Sequence, residues 1–565
     1  MADQIKIVAL GGLDESGKDC YVVEINNDIF VLEAGSMVPS KTIPGVDFML
    51  PNFDYLIANK ERIVGYFITH GHDEIMSCLQ YVYKDAPAPV YCTNATRIVM
   101  EAEAKRFGLK PNFNYRIINL NDNEFQVAGR EIKVFQTVHN AAYSYGLAIY
   151  TDRGYIVYTG DFMIDFTTEE EGYIFDLETI EELSNHNTLL LMSESKAAHK
   201  SGYCSPKHRV YDKLFKHFRD GHKRIFIACF WQNFYRINEI CKLAKDTHKK
   251  IYFYNEYTAN VMQELMKADK SICLTPNDIL KSEDILRVRG EDVVILILGR
   301  GEKLYQEFQK LVFRTNEDKR ITLNENDIFI NVALPTPPLE VLATRSMDAL
   351  YRVNCQVVWI KSKELASMHA RQDDLKFFIS RLRPQYYLPV RGSYVNLIAN
   401  AMLALDMNSG LSHNNIFILD NGMQLVFDDK PRPHIVPNEE NGINISPVLV
   451  DGMGISKIAD KVIEDRQKLG VDGVVIIAST VSRNSRTIIA GPDCQMRGFV
   501  YSKEAEPILK AINQIYVEEV KLALLADPIN FDAAITNIKE RCKKFFRREN
   551  GRDPLVIPII IPTNN

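Results

Sequence analysis

Residues 67–82, FITHGHDEIMSCLQYV, constrain this chain more than any other stretch. The run RIVGYFIT is rich in β-branched and aromatic residues and reads as a strand. It ends on His70-Gly71-His72 and passes into a helical pattern. Two imidazoles two residues apart at a strand end make half of a metal site, because a rigid sheet edge can hold ligands at fixed distances. Other strand ends supply the rest: EIKVFQTVH closes on His139 and GYIVYTGD on Asp161. A lone histidine is most often a core or surface residue. The joint pattern of four such groups just past strand ends points instead to a divalent cation. Zinc centres that hydrolyse phosphodiesters commonly hold two ions, which polarise the phosphate and generate hydroxide near neutral pH. A complete pair needs an acid and a further histidine directly after the His-x-His step, and here those places hold Glu74 and Ile75.

The rhythm of the chain sets the domains. The first 200 or so residues read as short strands (IKIVAL, CYVVEI, DIFVLEAG, RIVGYFIT, APVYCT, EIKVFQT, YGLAIYT, GYIVYTG). Two helices interrupt them, one after His72 and one at NATRIVMEAEAKRFG, which suggests stacked sheets covered by helices. From Lys207 the pattern changes to RVYDKLFKHFRD, KRIFIACF, FYRINEICKLAKD, KKIYFYN and NVMQELMKA, and continues through DVVILILG to CQVVWIKS. Such βα alternation predicts a parallel sheet. DLKFFISRLRPQYYLPVRGSYVNLIANAMLAL resumes helix, strand and turn, and FDDKPRPHIVPNEENG is proline-rich and charged, as a linker would be. Beyond it, VDGVVIIAST, TIIAGP and a helix from Ala505 to about Leu525 form a compact last unit. At 565 residues the chain exceeds one core and should split into roughly three or four domains.

Composition narrows the partners. The net charge of -6 exerts no global pull on nucleic acid, so any such site must be local. The basic stretch KERCKKFFRREN, Lys539 to Asn550, reads as the solvated side of a C-terminal helix, with binding of RNA phosphates as the alternative. Trp231 reads as a core residue rather than a base-stacking one. The ten cysteines never form a CxxC pair, so reduced thiols in a cytoplasmic protein are expected. No run of about 18 apolar residues predicts a membrane span, and the start MADQIKIVALGG lacks the pattern of a signal peptide.

Taken in order, ALGG, VLEAG, THGH, TVH, YTGD, a βα insertion, SMHARQDDLK and LPVRGSY resemble the ribonuclease J family, and the likeness continues into DGMGISKI and AGPDCQMRGFVY. The resemblance implies an α/β protein, a metallo-β-lactamase αββα sandwich (1–206 and 362–428) with an inserted α/β β-CASP domain (207–361). A linker (429–446) and a small α/β C-terminal domain that serves oligomerisation (447–565) would follow. It also implies roles. His70, His72 and His139 would hold a first ion, with Asp161 bridging to a second. The second ion's own ligands would fall at positions 74, 75 and 391. His369 would join Asp161 in catalysis, and Gln232, Asn233, Ser367, Met368 and His369 would line the pocket for an RNA 5′ end. The chain departs from the family pattern at Glu33, where members carry aspartate, at Glu74 and Ile75 in HGHxDH, at Met368 in place of a glycine, at Gln232 in place of a serine, and at Arg391, where members carry histidine.

These departures are not scattered: one ion keeps all its ligands and the other loses nearly all. Ile75 has no lone pair. Glu74 carries an extra methylene, and zinc–ligand distances tolerate only about 0.2 Å. Arg391 stays protonated and cannot coordinate a metal. The expectation is at most one ion, zinc or manganese, and an empty second site. Arg391 would take the second ion's electrostatic place and offer donors to a phosphate, the alternative being that it points into solvent from a turn. The function implied is a weakly active or non-catalytic subunit in RNA decay and maturation, paired with an active ribonuclease J or with itself, with no membrane partner. A slow exo- or endoribonuclease with one zinc, and a structural partner that binds neither metal nor RNA, are the alternatives.

Overall fold

The structure is a computed structural model that describes residues 2–39, 45–110, 112–219, 223–268, 272–451, 454–455, 460–498 and 505–564. It divides into two compact units, Met1–Val38 with Phe48–Val448, and Pro39–Asp47 with Leu449–Asn565. Of the motif DGMGISKI, residues 452–453 and 456–458 lie outside the described residues, as do Phe499, Val500 and Tyr501 of AGPDCQMRGFVY.

In the first unit an eight-stranded and a six-stranded sheet share one core. The strand CYVVEI is buried at every residue, so both faces of its sheet are covered. Between the sheets lie Ile7, Val23, Phe30, Leu32 and Phe67 from one side and Val134, Leu147, Ile156, Leu190 and Leu388 from the other. Helices Leu177–Ser184, Gln372–Leu382 and Tyr394–Asp406 pack on the second sheet. The layering is the expected αββα arrangement.

The inserted segment forms a five-stranded sheet in the order Lys250–Phe253, Val293–Gly299, Arg224–Phe230, Asp327–Asn331, Gln356–Trp359. Every pairing in it is parallel, as the βα alternation predicts. The strand Asp327–Asn331, too short to stand out in sequence, completes the sheet beside Arg224–Phe230. In the second unit, Val474–Ser482 lies between antiparallel Thr487–Arg497 and parallel Leu555–Thr563. Helices Ala505–Leu525 and Phe531–Asn550 close its core with Ile512, Tyr516, Ile538 and Phe546.

Two local expectations change. The proline-rich stretch read as a linker contributes a strand, His434–Val436, which pairs antiparallel with Gln424–Phe427 at the rim of the first sheet. Proline is tolerated at a sheet edge, so the same composition suits an edge strand and a linker alike. The helix after His72 is broken into Asp73–Met76 and Leu79–Val82. Its continuation fails because the Cys78 N–H bonds Ala34 O at 2.7 Å, while the Glu74 carbonyl accepts from Asp19 N–H at 3.2 Å. That crossing requires Gly35, where an added Cβ would lie 1.5 Å from Glu74 O.

Candidate metal centre

The strand ends meet as the spacing demands. His70 and His72 follow Ile63–Phe67, His139 follows Arg130–Gln136, and Asp161 follows Tyr155–Tyr158. One ligand atom from each of these four buried residues lies within 4.8 Å of the others. The three imidazoles stand edge to face, with ring centres 4.6, 4.8 and 5.0 Å apart. His139 is aimed by a hydrogen bond between Nδ1 and the Met368 carbonyl at 2.7 Å. His70 Nδ1 meets Thr69 Oγ1 at 3.0 Å, and Thr69 in turn donates to Glu33 from its hydroxyl at 2.6 Å and from its backbone N–H at 3.1 Å. Backing hydrogen bonds of this kind fix ring orientation in metal sites. Burial first of all, with the Asp19 charge adding to it and the Thr69 bonds opposing, pushes the Glu33 carboxyl up to about 8.

Burial pushes the His70 and His139 imidazoles well below their ordinary range, and that of His72 below it, which leaves the neutral form a cation needs. His70 Nε2, His139 Nε2 and both Asp161 oxygens are buried without a hydrogen-bond partner. Buried polar atoms are rarely left so, and here His70 Nε2 and His139 Nε2 converge on Asp161 Oδ2 at 3.7 and 3.5 Å. This donor set fits one divalent cation.

The neighbouring position does not fit one. Ile75 is fully buried hydrocarbon. The Arg391 side chain is also fully buried, with Nε 2.9 Å from Asp161 Oδ1 and Nη2 3.4 Å from Asp19 Oδ2 and 3.9 Å from Glu74 Oε1. Lys196 adds a second cation, 3.1 Å from Glu74 Oε1 and 4.0 Å from Asp161 Oδ2. Burial opposes ionisation of Asp161, but the Arg391 and Lys196 charges hold its carboxyl well below the usual range. Glu74 is held low against burial by the same two cations, Lys196 first. Arg391 and Glu33 both adopt left-handed backbone, with φ 58° and 64°. For side-chain-bearing residues that costs about 1–2 kcal/mol each, a strain that collects at functional sites.

Arg391 is therefore closed to an incoming phosphate by its burial, where the sequence suggested that it would offer donors. Its guanidinium lies within ion-pair reach of three carboxylates, while Nε, Nη1 and Nη2 make no well-angled hydrogen bond. His369 lies beside the cluster, its Nδ1 donating to Glu194 Oε2 at 2.9 Å and lying 3.7 Å from Asp161 Oδ2. Glu194 Oε1 also accepts from the N–H groups of Phe162 and Ala370, at 2.8 and 3.1 Å. Asp161, Glu194 and His369 lie close enough to ligate an ion. With both Glu194 oxygens engaged, they are better described as an oriented carboxylate–imidazole pair.

Of the residues expected in a 5′-end pocket, Met368, Asn233 and Gln232 make contacts within the chain, and Ser367 does so through its carbonyl. The Met368 side chain is only 1% exposed and serves through its carbonyl. Ser367 is half-buried, and its carbonyl accepts from the His369 N–H at 2.9 Å. Asn233 is buried and caps helix Phe234–Asp246 by accepting from the Arg236 N–H at 3.1 Å. Gln232 donates across to Gly71 O at 3.0 Å and Asp73 Oδ1 at 3.3 Å. Trp231 is core, packed by Phe234 and Tyr257 and covered by the Arg300 guanidinium 4.2 Å from its ring centre. Sequence reasoning missed Glu194, Lys196, Asp19 and Arg300. Glu194 carried a usable signal, since TLLLMSE ends in an acid as GYIVYTGD does.

Residues 461–563 match the family model "Ribonuclease J C-terminal domain", and residues 350–418 match "Zn-dependent metallo-hydrolase RNA specificity domain". Ribonuclease J 2 of Streptococcus pyogenes is 29% identical over 557 residues, spanning 99% of each chain. Ribonuclease J 2 of Staphylococcus aureus is 28% identical over 560 residues, spanning 98% of each. The crystal structure of a protein of unknown function from Enterococcus faecalis matches 75% of this chain and 100% of its own at TM-score 0.50 and 17% identity, a likeness of fold alone. The His-x-His strand end, the parallel-sheet insertion and end-to-end similarity agree: this chain is similar to ribonuclease J proteins over nearly its whole length and carries a ribonuclease J C-terminal domain beside its αββα sandwich.

Proposed function

We propose that this protein is an RNA decay and maturation subunit of ribonuclease J type whose centre holds one divalent ion, zinc or manganese, and cleaves RNA weakly or not at all. One observation carries the reading: His70, His72, His139 and Asp161 form a complete buried ligand set, while the adjoining place is filled by the Arg391 guanidinium 2.9 Å from Asp161. When bound, the ion supplies Lewis acidity and an acidified water. The chain supplies orientation: Met368 and Thr69 aim two imidazoles, and Glu194 holds the proton of His369 on Nδ1. His369 is partly exposed, so its other nitrogen is placed to hold or pass a proton at a substrate oxygen.

The intact His369–Glu194 pair favours a second reading, slow but true exo- or endonucleolytic cleavage with one ion. The weaker centre also suits assembly with an active ribonuclease J chain or with a second copy of itself. All ten cysteines are free thiols, which supports a reducing, cytoplasmic setting. Among the described residues, no helix is long and apolar enough to cross a membrane. The test is metal analysis of the purified protein beside an RNA decay assay, with His70→Ala as control. One equivalent of metal with RNA binding and little cleavage is expected. Two equivalents, or vigorous cleavage that His70→Ala leaves unchanged, would overturn the reading.

A further inference from the structure

Near this centre two cations face the carboxylates, and only one of them can reach a ligand. The Arg391 side chain is 0% exposed, whereas Lys196 is 18% exposed and shares the open rim with His369 at 17% and Glu74 at 28%. Lys196 follows the strand Thr188–Glu194, so its backbone is set by the sheet. The Ser195 N–H bonds Arg391 O at 3.0 Å, and Asn396 Nδ2 donates to Lys196 O at 3.4 Å. The ammonium thus stands 4.0 Å from the Asp161 oxygen that His70 and His139 also face. It thus lies beside a ligand carboxylate and at the surface.

We propose that Lys196 receives a non-bridging phosphate oxygen of bound RNA, doing on the substrate side what a second ion would do, while Arg391 neutralises the buried carboxylates behind it. The division follows from shape as well as exposure. Arg391 is a planar fork held among three carboxylates. Lysine is a mobile point charge with three donors, able to keep Glu74 and still turn toward a phosphate. This rests on the reading that RNA binds at this centre.

The test uses the full-length, zinc-loaded protein and a fluorescent single-stranded oligoribonucleotide with 2′-O-methyl sugars. Affinity is measured across a salt series for wild type, Lys196→Met and Lys196→Arg, with zinc content determined for each. Lys196→Met should weaken binding about tenfold or more, the loss of one charged hydrogen bond. The slope of log affinity against log salt should become shallower by about 0.7, as for one lost phosphate contact on a single strand. Lys196→Arg should recover most of both, with zinc unchanged throughout. Unchanged affinity and slope in Lys196→Met would overturn the proposal and leave the broader reading standing. Weakening that tracks loss of zinc would assign Lys196 to the metal site alone and also overturn it. A wild type that does not bind the probe would sink both.

Discussion

Arg391 carries the clearest chemical consequence at the scale of single residues. A buried guanidinium is tolerable only if its desolvation is offset, and the neighbours Asp161, Asp19 and Glu74 provide that. Burial foremost, against the pull of Arg391 and Lys196, raises the Asp19 carboxyl to about 6. Restoring ligands should therefore exchange an internal cation for an external one. The triple variant Arg391→His, Ile75→His, Glu74→Asp is expected to rise from about one to about two bound ions per chain by mass spectrometry, with a gain in RNA cleavage. Adding Lys196→Met should tighten the second ion further, because a competing charge is removed. A triple variant that stays at one ion and gains no activity would show that Arg391 is not what keeps the second ion out.

Among elements, the informative contact is between the inserted sheet and the loop that carries the metal ligands. Arg300, just past Val293–Gly299, bonds Asp73 Oδ2 at 2.6 Å, pairs with Glu103 and covers Trp231. Gln232, just past Arg224–Phe230, holds Gly71 O, and its own carbonyl lies 3.4 Å from His72 Nε2. The C-terminal ends of two parallel strands are thus tied to the His-x-His turn. Arg300→Ala removes the ion pairs and the cation–π contact together and should destabilise by about 1–2 kcal/mol, since Glu103 keeps Arg106 at 3.4 Å and the Tyr257 hydroxyl. Hydrogen exchange should speed at residues 71–76 and leave helix Tyr394–Asp406 unchanged. Equal exchange in both proteins would mean the tie does not restrain the turn.

For the whole molecule, the ligands come from three strand ends of two different sheets, so an ion there cross-links the sandwich and stabilises only the folded form. Stripping metal with a chelator should lower protection in the first unit, most around residues 68–76 and 137–163. An ion held at a hundred times its dissociation constant contributes about 2.7 kcal/mol. The core of the second unit, Val475, Ile477, Tyr516 and Ile538, has no part in the centre and should exchange at the same rate with and without metal. Uniform loss of protection in both units would contradict that.

Sequence alone settled the fold class and picked out the residues of one candidate ion site. Strand periodicity and groups placed just past strand ends are local properties, so His70, His72, His139 and Asp161 could be read directly, while the departures at Ile75 and Arg391 followed from the family resemblance. What the chain does with those losses is set by distances between segments remote in sequence. Whether Arg391 faces solvent or carboxylates, whether Met368 and Asn233 line a pocket or brace a ring and cap a helix, and which cation near Glu74 remains reachable depend on packing that no spacing encodes. Lys196 was illegible for that reason: a lysine after a strand is ordinary until the fold brings Glu74 and Asp161 to its tip.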